Sequence, residues 1–306
     1  MPEQTPDPKW LNAMFGMPPK DAVAFLREKG LAVSWNWQEM LDEAHARAFT
    51  VAKATQLDVL RDIRTGVLGA LKEGKPFEQF KKELEPLLKE KGWWGKQTVT
   101  APDGTEQTVQ LGSPRRLKTI YQTNLQSSYM AGRMKTQMAS PFTDYLQYIA
   151  IMDGRTRPAH RALNGTIYPK DDPIWSHIYP PNGFNCRCRV SGLTRARVDR
   201  DGLTVQNSDG QTVTRETEIK SGGLVQKTTQ TGVRVTLENG SPSVMWTDPG
   251  FNASPLVSSI FDDMLKDKAL AAIPDGPMAF ALVQRDVLTE TRMNAWRDFI
   301  DNARRS

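Results

Sequence analysis

Two of the chain's three histidines and both of its cysteines fall between Asp153 and Val190, in DGRTRPAHRALNGTIYPKDDPIWSHIYPPNGFNCRCRV. Cys186 and Cys188, with His160 and either Asp153 or His177, make up a sulfur and nitrogen donor set of the kind that holds zinc tetrahedrally. The spacing is unorthodox, because common zinc signatures separate their cysteines by two to four residues rather than one. The same side chains admit an enzyme in which His160 is a general base oriented by Asp153 and Cys186 or Cys188 is the nucleophile. No phosphate-cradling glycine loop, HExxH, GxSxG or kinase signature accompanies them. The spacing favours a third, structural reading. In it the cysteines are small buried hydrophobes on an extended segment, while His160 and Asp153 hydrogen-bond across the loop before them and hold it shut. That reading expects no cofactor, with zinc as the alternative.

Seven arginines surround this segment: Arg155, Arg157, Arg161, Arg187, Arg189, Arg195 and Arg197. Along CRCRVSGL a period of two puts Cys186, Cys188 and Val190 on one face and Arg187, Arg189 and Ser191 on the other. Arg187, Arg189, Arg195 and Arg197 are therefore candidate phosphate contacts for nucleic acid, with a merely solvated face as the equal alternative. The charge balance adds little: 40 Lys plus Arg against 35 Asp plus Glu gives +5, which permits contact with nucleic acid without requiring it. Two cysteines one residue apart do not make a secreted disulfide framework, and a bridge between them would be strained. With no signal-like start and no apolar run near the ~20 residues that cross a bilayer, the expectation is a protein kept in reducing, cytoplasm-like surroundings.

The elements that must position these residues read as α+β. A helical N-terminal region spans 1–112: a short helix in KDAVAFLREKG, a long one from Trp37 to Lys72, and one from Pro76 to Lys91 that Pro86 kinks or divides. A Gly92-Trp93-Trp94-Gly95 corner precedes a hairpin at about 98–111, turning at Pro102-Asp103-Gly104. A mixed α+β core spans 113–198. It opens with Ser113 as N-cap and Pro114 at the first helical position, running to about Met134 with Leu117, Tyr121, Asn124, Leu125, Ser128 and Gly132 inward. Thr123 and Asn124 sit mid-helix, where their side chains either bond nearby backbone or help hold the motif loop. DYLQYIAIM from Asp144 is apolar on both alternating faces and reads as a central strand. From 199 to 306 the pattern is a hairpin about Asp209-Gly210, a strand from Gly232 to Glu238, then helices at Pro255–Ala272 and Thr289–Arg304.

The arrangement Asp153-Gly154-Arg155-Thr156-Arg157, His160, Asn164-Gly165, Asp172-Pro173, Trp175, Pro180-Pro181, Asn182-Gly183 and Cys186-Arg187-Cys188 resembles the phage Mu protein F-like family of head morphogenesis proteins. The resemblance extends to PPKDAVAFLREKG, HARAFTVAK, the GWWG corner, RLKTIYQTNLQSSYMAGR and TDPGF. Some relatives carry a histidine shortly before the CRC triplet, where this chain has Gly183 and Phe184, so one possible ligand is missing. The resemblance makes Asp153, Arg155, Arg157, His160, Asn164, Gly165, Trp175, Pro181, Cys186, Arg187 and Cys188 the family-defining motif. It implies a minor structural component of a phage or prophage head, associated with the portal vertex, in the host cytoplasm during assembly and in the head interior of the virion. The implied partners are the portal, procapsid and scaffold proteins and packaged double-stranded DNA; no membrane partner is implied. It implies no settled catalytic activity, although related domains occur as modules attached to toxins.

Overall fold

The computed structural model describes residues 19–32, 34, 48–101, 104–221 and 224–251, all within the compact unit Met1–Leu256. The fold is α+β, built from helices and small, mostly antiparallel sheets. Its first layer is helical. Helix α1 (Pro19–Glu28) is followed by a two-residue parallel pair, β1 (Gly30–Leu31) with β2 (Ala48–Phe49). Helix α2 spans Leu57–Glu73 and α3 spans Phe77–Glu90. Apolar residues recur at helical spacing on both: Val59, Leu60, Ile63, Val67 and Leu71 are buried on α2, and Phe77, Phe80, Leu84 and Leu88 on α3. Helix α3 runs unbroken through Pro86.

The long helix expected from Trp37 is shorter in the structure. Residues 35–47 lie outside those described, β2 and non-helical backbone occupy 48–56, and α2 begins only at Leu57. The apolar spacing from Leu60 onward belongs to a real helix, whereas the Ala48 and Ala52 that seemed to extend it precede its start.

After α3 the Trp93-Trp94 corner turns the chain into the hairpin β3 (Lys96–Thr100) and β4 (Glu106–Gln110), with Thr98 opposite Thr108. Trp93 is buried and its indole N–H donates to the Lys53 carbonyl at 2.9 Å. The Arg116 guanidinium stacks 4.8 Å from the Trp93 ring and donates to the carbonyls of Gln110, Leu111 and Ala52. Burial brings its pKa down to about 10. Gly112 is required at this corner, since a Cβ there would lie 2.4 Å from the Trp94 ring and 2.5 Å from the Trp93 carbonyl.

Helix α4 (Pro114–Ala139) is the spine of the core. Ser113 caps it, its Oγ accepting from the Arg116 N–H at 3.2 Å, and Pro114 occupies the first turn. Tyr121 reaches from α4 into the first layer, its ring centroid 5.7 Å from Phe77 and 5.3 Å from Phe80, and its hydroxyl donates to the Lys75 carbonyl. Asn124 is half-buried and donates to the Ile120 carbonyl one turn back, the local backbone bond available to such a residue in mid-helix. The other side of α4 faces a three-stranded antiparallel sheet of order β6-β5-β7: β5 (Tyr145–Ile149) is central, flanked by β6 (Ile167–Pro169) and β7 (Arg189–Leu193). Short helices α5 (Pro158–Ala162) and α6 (Trp175–Ile178) connect the strands, and α7 (Arg195–Arg200) follows β7.

The last described layer is a sheet of order β10-β9-β8: β8 (Thr212–Ser221), β9 (Leu224–Thr236) and β10 (Pro242–Trp246). Here the expected hairpin about Asp209-Gly210 is corrected. The partner of β8 is β9, with Ser221 opposite Leu224, while residues 203–208 form no strand. The stronger turn signal in this stretch is Gly222-Gly223 between two long polar-alternating runs, the two-residue connection that hairpins favour. Gln230 anchors the sheet from inside: its amide carbonyl accepts from Arg215 and Thr217, and its amide N–H donates to the Thr247 carbonyl. The expected helices at Pro255–Ala272 and Thr289–Arg304 lie outside the described residues. No helix among the described residues is long and apolar enough to cross a membrane.

The cap on α4 is open to a direct test. Ser113→Ala is expected to cost about 1 kcal/mol of stability, read as a lower midpoint with an unchanged slope in urea denaturation.

Candidate functional site

The motif residues occupy the loops at one end of the β6-β5-β7 sheet. Beyond β5 the Ala150 N–H donates to Asn164 Oδ1 at 2.9 Å, which pins the end of the strand to the far side of α5. Gly165, at φ 84, returns the chain to β6, its N–H donating to the Tyr148 carbonyl at 2.8 Å. Between these ties Asp153 caps a tight turn, accepting from the Arg155 N–H and the Thr156 hydroxyl. Pro158 opens α5, which carries His160 inward. Trp175 on α6 is buried between Tyr168 and Tyr179, and its indole N–H donates to the Pro169 carbonyl. Buried Pro181 follows a cis Pro180-Pro181 bond and leads to Asn182, whose amide N–H donates to the Tyr148 hydroxyl and the Ile178 carbonyl. Asn185, at φ 60, turns the chain into Cys186-Arg187-Cys188.

This triplet alternates as the period of two requires, although regular strand begins only at Arg189. The Sγ atoms of Cys186 and Cys188 lie 3.9 and 3.8 Å from His160 Nδ1. Arg187 turns the other way and grips Asp153 with two parallel hydrogen bonds of 2.8 and 2.6 Å. His160, Cys186 and Cys188 are thus brought together, their ligand atoms all within 4.8 Å of one another. Asp153 and His177 are not part of that group. Both oxygens of Asp153 accept from Arg187, and His177 sits half-buried on α6, its pKa lowered by burial.

The expected hydrogen bonding of His160 and Asp153 across the loop is therefore divided between two partners: Asp153 closes the loop through Arg187, and His160 faces the thiols. Nor does Asp153 orient His160, whose Nε2 is buried without a hydrogen-bond partner among the described residues, so the general base pictured from the sequence lacks its orienting group there. Within the thiol pair, the hydrogen bond from Cys188, assisted by His160, holds the Cys186 thiol well below its usual pKa. The same bond, with burial, pushes Cys188 up.

Two further ion pairs tie the motif to the β8–β10 layer. Arg157 forms a bidentate pair with Asp248 at 2.7 Å for each bond, and Arg161 another with Glu238. Asp248 also accepts from the Phe184 N–H, and its own N–H donates to the Asn182 carbonyl. Gly183 lies under this junction, where a Cβ would sit 2.3 Å from Asp248 Oδ2 and 2.7 Å from Arg157 Nη1. Of the candidate phosphate contacts, Arg187 is held by Asp153 and Arg197 by Asp201. Arg189 and Arg195 have no ion pair among the described residues.

Several anchoring residues carried no readable signal. Gln126 on α4 donates to the Cys188 carbonyl, and Arg133 and Gln137 donate to the Val190 carbonyl. Gln137 also accepts from the Tyr179 hydroxyl. Gln126 and Gln137 are polar residues buried within a helix, a pattern that points inward only once a neighbouring strand edge is in view. Asp248 could have been found, since the TDPGF stretch that contains it was already part of the resemblance.

Residues 61–191 match the family model for phage Mu protein F like protein, and the chain is 42% identical over 288 residues to "Putative capsid assembly protein F" of Escherichia phage Mu. Over these residues the chain is similar to the phage Mu protein F-like family. The match to the phage Mu protein covers 93% of this chain and 64% of that protein. A second Mu F-like relative, "Mu-like prophage FluMu F protein" of Haemophilus influenzae, is 38% identical over 271 residues, covering 88% of this chain and 64% of its own length. A shorter stretch of 51 residues is 37% identical to "Uncharacterized protein MJ0329" of Methanocaldococcus jannaschii, covering 16% of this chain and 8% of that protein. The chain thus spans just under two thirds of the length of the two Mu F-like relatives. No solved structure matches it.

The Asp153–Arg187 clasp yields a signed pH dependence. Arg187 holds the Asp153 carboxyl well below the usual carboxylate range, so the pair stabilises the fold above the unfolded pKa of about 4 and loses that contribution as pH falls further. Asp153→Asn should lower the melting temperature at neutral pH, with the gap to wild type closing below about pH 4. A gap independent of pH would show that the pair contributes nothing. Gly183→Ala should cost about 1–3 kcal/mol, because the new methyl displaces Asp248 and Arg157, and denaturant titration reads it directly.

Proposed function

We propose that this chain acts in assembly of a phage or prophage head, as a minor structural component at or near the portal vertex. The observation that carries the reading is its 42% identity, over 93% of its length, to a protein named as a putative capsid assembly protein. The motif geometry supports a structural role. Asp153, Arg157, Arg161 and Arg187 are all spent on internal ion pairs that join the sheet's loops to one another and to the β8–β10 layer. A site built for turnover exposes such groups to a substrate, whereas here they close on each other. The site of action is the host cytoplasm during assembly and then the head interior, beside portal and other head proteins.

The experiment is an in-frame deletion in an inducible lysogen, with complementation. Loss of infectious particles, aberrant or empty heads by electron microscopy, and rescue by the wild-type gene are the expected results. Normal titre and normal heads would sink the proposal. Co-purification with the portal protein tests the finer placement, and a chain found only with the shell protein would move it away from the vertex.

A second reading, contact with packaged DNA, is favoured only by Arg189 and Arg195. Duplex DNA binding that weakens steeply with salt, and weakens further in Arg189→Ala/Arg195→Ala, is its signature. In Arg187→Ala the expected effect is on stability rather than DNA affinity, because the guanidinium is already engaged by Asp153.

A further inference from the structure

We propose that Cys186 Sγ, Cys188 Sγ and His160 Nδ1 form a three-residue zinc centre, which fastens α5 to the segment leading into β7. The proposal stands apart from the head-assembly reading, since either can fail without the other.

Geometry is its first support. The two N···S separations are 3.9 and 3.8 Å, long for hydrogen bonds but close to the roughly 3.6 Å between nitrogen and sulfur ligands on a tetrahedral zinc with bonds of about 2.05 and 2.3 Å. All three ligand atoms lie within 4.8 Å of one another, so closing on an ion needs contraction by no more than side-chain adjustment. Burial is the second support. His160 is 3% exposed, and among the described residues its Nδ1 faces the two sulfurs at 3.9 and 3.8 Å. An imidazole buried with such weak partners is costly unless something stronger engages it, and a metal bond at Nδ1 is that interaction.

The donor set selects the ion. Two sulfurs and one imidazole, with Asp153 withdrawn to Arg187, suit a borderline-soft ion such as zinc and offer nothing to magnesium or calcium. Both arms of the site are also held independently of any ion, α5 by the Arg157–Asp248 and Arg161–Glu238 pairs and the cysteine segment by Arg187–Asp153 and Gln126. Two thiolates and a neutral imidazole then leave zinc uncharged overall. Binding releases the two thiol protons to solvent, and no atom changes oxidation state. The fourth position falls to water arriving on the side of Cys186, which is half-buried where His160 and Cys188 are buried.

The test uses the full chain without a histidine tag, purified from medium supplemented with zinc and analysed for metal. About one zinc per chain is expected, falling to a trace in Cys186→Ser/Cys188→Ser and unchanged in His177→Ala, whose imidazole lies outside the cluster. Folded wild-type protein that holds only a trace overturns the proposal, as does stoichiometric zinc retained by the double-serine variant. Should that variant not fold, cobalt reconstitution of the wild type decides. A thiolate-to-cobalt charge-transfer band displaced by zinc supports the centre, and its absence overturns it.

Discussion

Strand β7 lies at the edge of its sheet, so alternate carbonyls point away from β5 into the interior, where water cannot reach them. Helix α4 meets that demand with side chains instead of a further strand. The amides of Gln126 and Gln137 and the guanidinium of Arg133 donate to the carbonyls of Cys188 and Val190. Buried polar groups of this kind hold two elements in one register, because sliding either by a residue would orphan both donor and acceptor. The position of the two thiols, the direction of Arg187 and the place where α5 must close are all consequences of that register. The long helix is therefore less a packing surface than a ruler laid along the cysteine strand.

Around this contact the charges are arranged in closed pairs. Arg187 with Asp153, Arg157 with Asp248 and Arg161 with Glu238 are each bidentate, the geometry in which a guanidinium gives direction as well as attraction. Exposed pairs contribute little to stability one at a time. Their value here lies in position, since each joins two segments distant in sequence. The interior left between them holds one imidazole and two thiols with weak mutual bonds, a polar pocket whose surroundings are far better satisfied than its contents.

Much of this was legible in the residues. The Ser113-Pro114 start of α4, the apolar stripes of α2 and α3, the hairpin beside the tryptophan corner and the central strand at Tyr145 each announce themselves through local chemistry: a cap, a helical period, a turn signal, a run apolar on both faces. The alternation of Cys186, Arg187 and Cys188 likewise places both thiols on one side and the arginine on the other. Local pattern misleads where two elements abut in sequence. Ala48 and Ala52 continue the spacing of α2 by coincidence, and the Asp209-Gly210 turn drew attention from the diglycine that joins β8 to β9. What stayed hidden was long-range. No local pattern says that Asp153 belongs to Arg187 rather than His160, or that Gln126 and Gln137 look inward, because those facts depend on partners dozens of residues away.

The Arg157–Asp248 bridge spans 91 residues, and it closes over the Gly183 junction from the far end of the described chain. At synthesis rates of roughly 5–20 residues per second, that separation is a delay of about 5–18 s between emergence of the first partner and of the second. For that interval on the ribosome α5 lacks its outer latch. The order of translation thus makes this bridge one of the last described contacts to become available, formed only once Asp248, beyond β10, has emerged and the arginine finds its carboxylate.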